Sequence, residues 1–326
     1  MKISFVIPCY RSEHTLEAVV KEIEKTMSER DGYDYEIVLT DDCSPDNVWN
    51  VIERLCENDA HIKAVQFTKN FGQHSAILAG CAKADGDAVF CLDDDGQAPV
   101  DELFKLVDEL EKGYDVVYGT YPEIKQNPFR KFGTWMNNKM AQILLGWPKN
   151  VQSTSFLVLR RQIVDEMLKY RNPYPYLEGL IVRVTDRIGA VQVTQRERAY
   201  GTSGYSLEKL FRLWLNGFTA FSVKPLRIAS MCGALFALCG FVYLVFIIVN
   251  KFIDPLVAEG YSSTMAVMLL IGGLLMLMLG LVGEYIGRIY ICLNNSPQYV
   301  VRQVRGGEEC GKDKRRQTEE RDGKNR

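Results

Sequence analysis

Histidine is scarce in this 326-residue chain: His14, His61 and His74 share no spacing that would hold a metal. Cysteine is present but unpaired in pattern. The nine residues, Cys9, Cys43, Cys56, Cys81, Cys91, Cys232, Cys239, Cys292 and Cys310, include no C-x-x-C pair. That excludes a zinc ribbon, and the odd count speaks against a disulfide framework. Several of them lie inside apolar runs and read as small core residues of a protein in a reducing compartment. There is no G-x-x-x-x-G-K-[ST], no G-x-G-x-x-G after the first strand, no H-E-x-x-H and no G-x-S-x-G. The commonest nucleotide-binding, dinucleotide-binding, zinc-protease and hydrolase sites are therefore missing. A formal net charge of −2 with no long basic stripe gives no reason to expect nucleic acid as a partner. The amino-terminus lacks a basic segment followed by a long apolar one, so no secretory signal is expected and the first half is assigned to the cytosol.

What is present is an alternation. Up to about residue 120, short apolar runs are expected as strands at 2–7, 35–39, 62–67, 88–92 and 115–118, with Pro8 ending the first. Amphipathic stretches at 15–29 and 47–58 lie between them. Short strands alternating with helices predict an α/β fold with a mostly parallel sheet and helices on both faces. Ligands in such sheets bind at the carboxyl ends of the strands. Polar residues collect there: Cys9-Tyr10-Arg11, Asp41-Asp42 and Asp93-Asp94-Asp95. Further on, 131–145 and 161–169 are expected as helices, and 155–159 and 190–198 as strands. This region completes a catalytic domain over residues 1–205.

A second region, 206–227, places Leu207, Leu210, Phe211, Trp214, Phe218 and Phe221 on one helical face. It reads either as a helix packed on the domain core or as one lying in a membrane interface. Ile228 to Val249 is then free of charge, as is Met265 to Gly283. As a helix, the first run spans about 33 Å, enough for a bilayer core. The two form an expected transmembrane hairpin over 228–287, its helices at about 228–249 and 265–287. Lys224, Arg227, Arg288 and Arg302 flank it, which puts both chain ends in the cytosol and the 250–264 loop outside. Glu284 and Arg288 are spaced for an ion pair. Residues 288–326 read as a cytosolic tail whose charge-dense end is disordered.

The sharpest chemical feature is Asp93-Asp94-Asp95-Gly96-Gln97, directly after an apolar strand. Asp93 and Asp95, with Gln97 as a further oxygen donor, suit a hard divalent cation, Mg2+ or Mn2+, that also takes substrate phosphate oxygens. A solvated acidic turn is the plain alternative. At the end of the second strand, Asp41 and Asp42 are placed to accept from a nucleobase N–H, while Ser44 and Asp46 are placed to cap the next helix. Arg196 and Arg198, before the flexible turn Tyr200-Gly201-Thr202-Ser203-Gly204, suit a phosphate of donor or lipid.

Val6-Ile7-Pro8-Cys9-Tyr10, Asp41 to Asp46, Asn70-Phe71-Gly72-Gln73-His74-Ser75-Ala76-Ile77, Asp93 to Pro99, Arg198 to Ser203 and Gly283-Glu284-Tyr285-Ile286-Gly287-Arg288-Ile289-Tyr290 occur in this order. Together they resemble the family 2 glycosyltransferases of the GT-A fold, in their polyprenyl-phosphate branch, over residues 2 to about 304. That branch includes dolichyl-phosphate mannose synthases, bactoprenol glucosyltransferases and undecaprenyl-phosphate formamidoarabinose transferases. The resemblance implies that Pro8, Tyr10, Leu39 and Asp41 line the nucleoside pocket. It also implies that Asp42 and Asp94 belong to the nucleotide-sugar site, that Asp93, Asp95 and Gln97 hold the metal with the donor diphosphate, and that Arg198 contacts phosphate. An inverting transfer of a hexose to undecaprenyl or polyprenyl phosphate follows as the expected activity, with glucose from UDP-glucose first. N-acetylglucosamine, galactose or a modified arabinose remain as other sugars. The location implied is a bacterial inner membrane, with a homo-oligomer. A catalytically impaired nucleotide-sugar-binding scaffold is the competing reading. The chain departs from the family in four places: Arg11-Ser12-Glu13 replaces the usual Asn-Glu, Asp94 and Gly96 replace the frequent Ala and Leu within the acidic motif, Ser153-Thr154-Ser155 stands where a catalytic Asp is common, and Gly204 replaces a basic residue. Glu178 is a substitute candidate for the missing carboxylate.

Overall fold

A computed structural model describes residues 1–121, 141–194, 260–294 and 296–306, with single positions at 139 and 196 and between 226 and 249. The expected interfacial helix, Arg198, the side chain of Arg288, most of the helix expected over 131–145 and the end of the tail lie outside the described residues. The chain divides into two compact units, Met1–Lys209 with Ser296–Arg326, and Leu210–Asn295.

The first unit is built on one eight-stranded sheet. Its strands are β1 (Lys2–Cys9), β2 (Asp34–Asp41), β3 (Ile62–Phe67), β4 (Ala88–Cys91), β5 (Val116–Thr120), β6 (Leu157–Arg160), β7 (Ile188–Gln192) and β8 (Val301–Arg305), in the order β7-β5-β6-β4-β1-β2-β3-β8. The central β4-β1-β2-β3 strands are parallel, while β6 and β8 run antiparallel to their neighbours. Helices α1 (Leu16–Ser28), α2 (Val48–Asn58) and α3 (Gln73–Cys81) make the parallel crossovers, followed by α4 (Leu103–Glu111), α5 (Arg161–Met167) and α6 (Leu177–Val184).

β1 is buried from Ile3 to Cys9, as a central parallel strand covered on both faces must be. Ile3, Phe5, Ile7 and Cys9 enter the main core with Leu16, Val20 and Ile23 of α1. On the opposite face α3 lies so close that a Cβ on Gly80 would stand 2.4 Å from Val6 Cγ1. Pro8 does not end this strand. Val6 accepts from the Leu92 N–H, so alternate residues of β1 turn their backbone polar groups toward β4. The N–H that Pro8 lacks would thus face a place β4 has already left, and the ladder loses nothing.

β8 is a further difference, since its residues fall within the expected tail, 288–326. Its alternation is short and interrupted by Arg302 and Arg305, as is common for a charged edge strand. It pairs with β3 across a bulge at Gln66/Phe67. Tyr299, just before it, stacks on Phe67 with centroids 5.2 Å apart.

The amino ends of the strands carry a buried charge network beside a cavity of about 1230 Å³. Glu36 is 2% exposed. It accepts from Ser4 Oγ at 2.6 Å, the Asp85 N–H at 2.5 Å, Lys63 Nζ at 2.9 Å and Lys2 Nζ at 3.0 Å. Burial alone would raise this carboxyl, but the four donors outweigh it and hold the group at about 2.

In the second unit, α7 (Tyr261–Leu293) has 33 residues, about 50 Å of helix. Within it Leu270–Leu293 is long and apolar enough to cross a membrane. Among the described residues it is the one helix that is so.

A folded-state value below the unfolded one means that Glu36 stabilises the fold fully above about pH 4.5 and loses that effect as pH falls through 2. Glu36→Gln should therefore lower unfolding free energy by about 3 kcal/mol near neutrality, with the gap to wild type closing in acid. Unfolding curves across pH in detergent check it.

Candidate active site

In the strand order β3-β2-β1-β4, successive connections leave β1 in opposite directions, so the topological switch point lies between β1 and β4. Open α/β sheets bind ligands in the crevice outside that point. Here the crevice lies between Tyr10, following β1, and Asp93-Asp94-Asp95, following β4. The two loops are tied together: the Tyr10 N–H donates to Asp94 Oδ2 at 2.9 Å, and Thr15 Oγ1 to the Asp94 carbonyl at 2.6 Å. Arg11 and Cys43 hold left-handed backbone, with φ 59° and 52°, and the Arg11 N–H donates to Ser44 Oγ at 2.8 Å. Non-glycine residues in that region cost roughly 1–2 kcal/mol each, so the fold tolerates strain at this end of the sheet.

Each described aspartate has assigned donors. Asp41 is 1% exposed; its Oδ1 accepts from the Ser44 N–H at 2.8 Å and its Oδ2 from Gln66 Nε2 at 3.0 Å. Asp42 accepts from the Phe71 N–H at 2.6 Å and the Gly72 N–H at 2.9 Å. It thereby clamps the turn into α3, where Gly72 has φ +92°. Asp93 accepts from Gln73 Nε2 at 2.7 Å and from Ser155 Oγ. Asp95 Oδ1 accepts from the Gln97 N–H at 3.0 Å. Burial pushes Asp42 and Asp94 up to about 6, with Asp41 adding to the first, and Asp93 and Asp95 to the second. Burial, then the charges of Asp93 and Asp95, push the Tyr121 phenol up to about 12, placing that ring beside the acidic turn.

The expected site residues are thus distributed unevenly. Tyr10, Asp93, Asp94, Asp95 and Gln97 come together at the crevice. Pro8 and Leu39 are buried, Leu39 fully, and Asp41 and Asp42 brace the loops from below. Arg196 is not available to a phosphate: its guanidinium donates to Glu22 at 2.6 Å and Asp101 at 2.7 Å. Its backbone pairs with Gln97, the carbonyl accepting from Gln97 Nε2 and the N–H donating to the Gln97 carbonyl, both at 3.4 Å. The caps expected of Ser44 and Asp46 do not form, because Ser44 Oγ donates to Asp46. Glu13 instead accepts from the Asn47 N–H at 2.9 Å at the start of α2. Nothing local in the sequence marks Gln73 and Ser155 as partners of Asp93. Gln73 lies within the Asn70–Ile77 motif, whereas the one signal at Ser155 is the absence of an Asp.

Asp93, Asp95 and the Gln97 side-chain carbonyl form an oxygen-only donor set of the kind magnesium and manganese take. No group of three or more His, Cys, Asp or Glu side chains is arranged to hold a metal among the described residues. A cation here would need donors besides these carboxylates, which agrees with a site that shares it with a diphosphate.

A doubly covered, mostly parallel sheet with an Asp-x-Asp turn at its switch point defines a glycosyltransferase of GT-A-like fold. Residues 4–168 match the Glycosyl transferase family 2 model, and residues 224–289 match the GtrB C-terminal hairpin. The undecaprenyl-phosphate 4-deoxy-4-formamido-L-arabinose transferase of Proteus mirabilis (strain HI4320) is 35% identical over 94% of both chains. An uncharacterized glycosyltransferase, YkcC, of Bacillus subtilis (strain 168) is 30% identical over 94% of this chain and 95% of that one. Among solved structures, the UDP complex of glucosyl-3-phosphoglycerate synthase from Mycobacterium tuberculosis superposes with TM-score 0.51 at 19% identity, covering 68% of this chain and 78% of that one. The complex of that synthase with Mn2+, UDP-glucose and phosphoglyceric acid also gives 0.51 at 19% identity, covering 67% and 77%. The chain belongs to glycosyl transferase family 2, in its polyprenyl-phosphate glycosyltransferase branch.

Asp42 ionises at about 6 in the fold and near 4 when unfolded, so its ionisation opposes folding. Wild type should lose stability relative to Asp42→Asn as pH rises from about 4 to 6, by on the order of 2–3 kcal/mol, with a constant difference on either side. Parallel pH series of unfolding midpoints read this directly.

Proposed function

We propose that this protein transfers a sugar from a UDP-sugar to undecaprenyl or another polyprenyl phosphate at the cytosolic face of a bacterial inner membrane. The observation that carries the reading is the Asp93-Asp94-Asp95 turn at the switch point of a family 2 domain followed by an apolar helix. UDP-glucose is the donor we place first. The Proteus mirabilis relative, named for a formamido-arabinose, supports that modified sugar as the second.

A phosphate monoester has its second pKa near 6, so the lipid phosphate is largely dianionic at neutral pH and needs positioning more than deprotonation. One of its oxygens attacks the anomeric carbon from the face opposite the nucleotide. The bond from that carbon to the diphosphate oxygen breaks, UDP leaves with the electron pair, and configuration inverts. Asp93, Asp95 and Gln97 would hold a magnesium or manganese ion, which when bound supplies charge neutralisation for the departing diphosphate. Tyr10, with Pro8, Leu39, Asp41 and Asp42 behind it, forms the nucleoside side of the crevice. Arg198 is assigned to phosphate on the resemblance alone.

Chain topology supports two crossings of the membrane, by 228–249 and 265–287. β8 pairs with β3 in the same sheet as β1, so the chain entering the second unit and the chain leaving it lie on one side of any bilayer. The number of crossings between them is then even, and α7 supplies one. Every described position from Met231 to Val249 is helical, and a Cβ built on Gly233 would stand 3.0 Å from Met278 Cε, so that segment lies against α7, which supports it as the other. Both chain ends are then cytosolic, and self-association through these helices gives a homo-oligomer.

Purified protein in detergent, given undecaprenyl phosphate, magnesium or manganese and a panel of radiolabelled UDP-sugars, should move label from one donor into the organic phase. Chelator should stop it, and Asp93→Asn and Asp95→Asn should each lower turnover by at least 100-fold while melting as wild type does. Undiminished transfer in chelator or in either variant rules out the metal role, and no transfer from any donor rules out the reaction.

A further inference from the structure

The segment that lacks the family's Asp holds two carboxylates instead of supplying one. Ser155 Oγ donates to Asp93, and Ser153 Oγ donates to Glu178 Oε1 at 2.7 Å. Two extended residues span at most about 7 Å, so Glu178 is brought to the same wall of the crevice as the diphosphate-binding turn. The other carboxylate oxygen, Oε2, is buried and has no hydrogen-bond partner among the described residues; nor has the hydroxyl of Tyr118. The surroundings are otherwise aromatic. The Tyr118 ring meets Trp147 edge-on at 5.4 Å, and Tyr176 meets His74 edge-on at 5.5 Å. Burial, then the Glu178 charge, raises both phenols, so Tyr118 and Tyr176 lie close to this carboxylate.

A buried carboxylate oxygen left without a donor costs about 1–3 kcal/mol or more, and a native fold keeps such a group where a ligand completes it. An ionised carboxylate only accepts, so its ligand is an O–H or N–H group and not a phosphate, which it would repel. The aromatic walls with one polar acceptor are those of a small-molecule subsite. A general base has little to do here, since the lipid phosphate is already ionised.

We propose that Glu178 reads the donor sugar, its Oε2 accepting a hydrogen bond from one ring hydroxyl while Ser153 fixes Oε1. This rests on the transfer reading above and adds a specificity residue to it. A hydrogen bond to a charged acceptor separates a sugar that carries the hydroxyl from one that lacks it by about 10- to 150-fold.

The test compares wild type, Glu178→Ala and Glu178→Gln on the donor found by the panel and on its deoxy analogues, each lacking one hydroxyl. Wild type should lose 10- to 150-fold in kcat/KM on one analogue. Glu178→Ala should lose a similar factor on the parent donor and show no further loss on that analogue, the mark of a coupled pair. Glu178→Gln, which keeps the shape without the charge, should fall between, and it carries the test if Glu178→Ala melts early. A variant that still discriminates among the analogues as wild type does, or that loses kcat equally on all of them, overturns the proposal. If wild type transfers no sugar, the reaction assignment fails separately. Calorimetry then decides for Glu178: tighter binding of UDP-glucose than of UDP in wild type only supports it, and an equal difference in Glu178→Ala overturns it.

Discussion

Five aspartates, Asp41, Asp42, Asp93, Asp94 and Asp95, end β2 and β4, the two strands that flank β1, and keeping them together is the constraint around which the first unit is arranged. Two unit charges 4 Å apart near a protein surface repel by roughly 4 kcal/mol. The described bonds answer that repulsion largely with neutral donors: backbone N–H groups of Tyr10, Ser44, Phe71, Gly72 and Gln97, and side chains of Gln66, Gln73 and Ser155. Five separate parts of the chain converge because each brings at least one of these donors, and the stretch from Gln66 to Gln73 brings four. The left-handed residues Arg11 and Cys43 lie in two of those parts.

The arrangement divides the acidic residues by depth. Asp41 and Asp42 are almost wholly enclosed and organise the backbone, whereas Asp93 and Asp95 remain partly open toward the crevice. A carboxylate that is already satisfied by backbone N–H groups holds a loop; one with lone pairs facing solvent can share a cation. Thus the same residue type serves as scaffold at the end of β2 and is left open to a ligand at the end of β4.

Much of this was legible in the residues. The parallel strands announced themselves as apolar runs because both of their faces are buried, and β3 runs from Ile62 to Phe67 as read from the sequence. The acidic turn was legible because a strand's carboxyl end is where such a fold binds ligands. Pairings over long sequence distances were not. Arg196 looked like a phosphate ligand, but Glu22 and Asp101, far off in the chain, take its guanidinium. Ser153 and Ser155 looked like a loss, since hydroxyls that orient other residues' carboxylates have no local signature. Pro8 misled because its effect depends on where the neighbouring strand stops, and β8 was hidden by its own charged residues.

That last strand has a consequence for how the protein is made. Gln303 of β8 donates to Gln66 at 2.9 Å, and Gln66 in turn donates to Asp41 at 3.0 Å, so residue 303 reaches, through two amides, an aspartate beneath the crevice. During synthesis β3 remains an open edge until residues 301–305 leave the ribosome, after the apolar helix has already emerged. The edge is therefore closed last, and a molecule whose apolar helix carries the chain that follows it away from the sheet cannot return its terminal strand. On the proposed membrane topology, completion of the sheet is in this way made conditional on where the apolar helix goes.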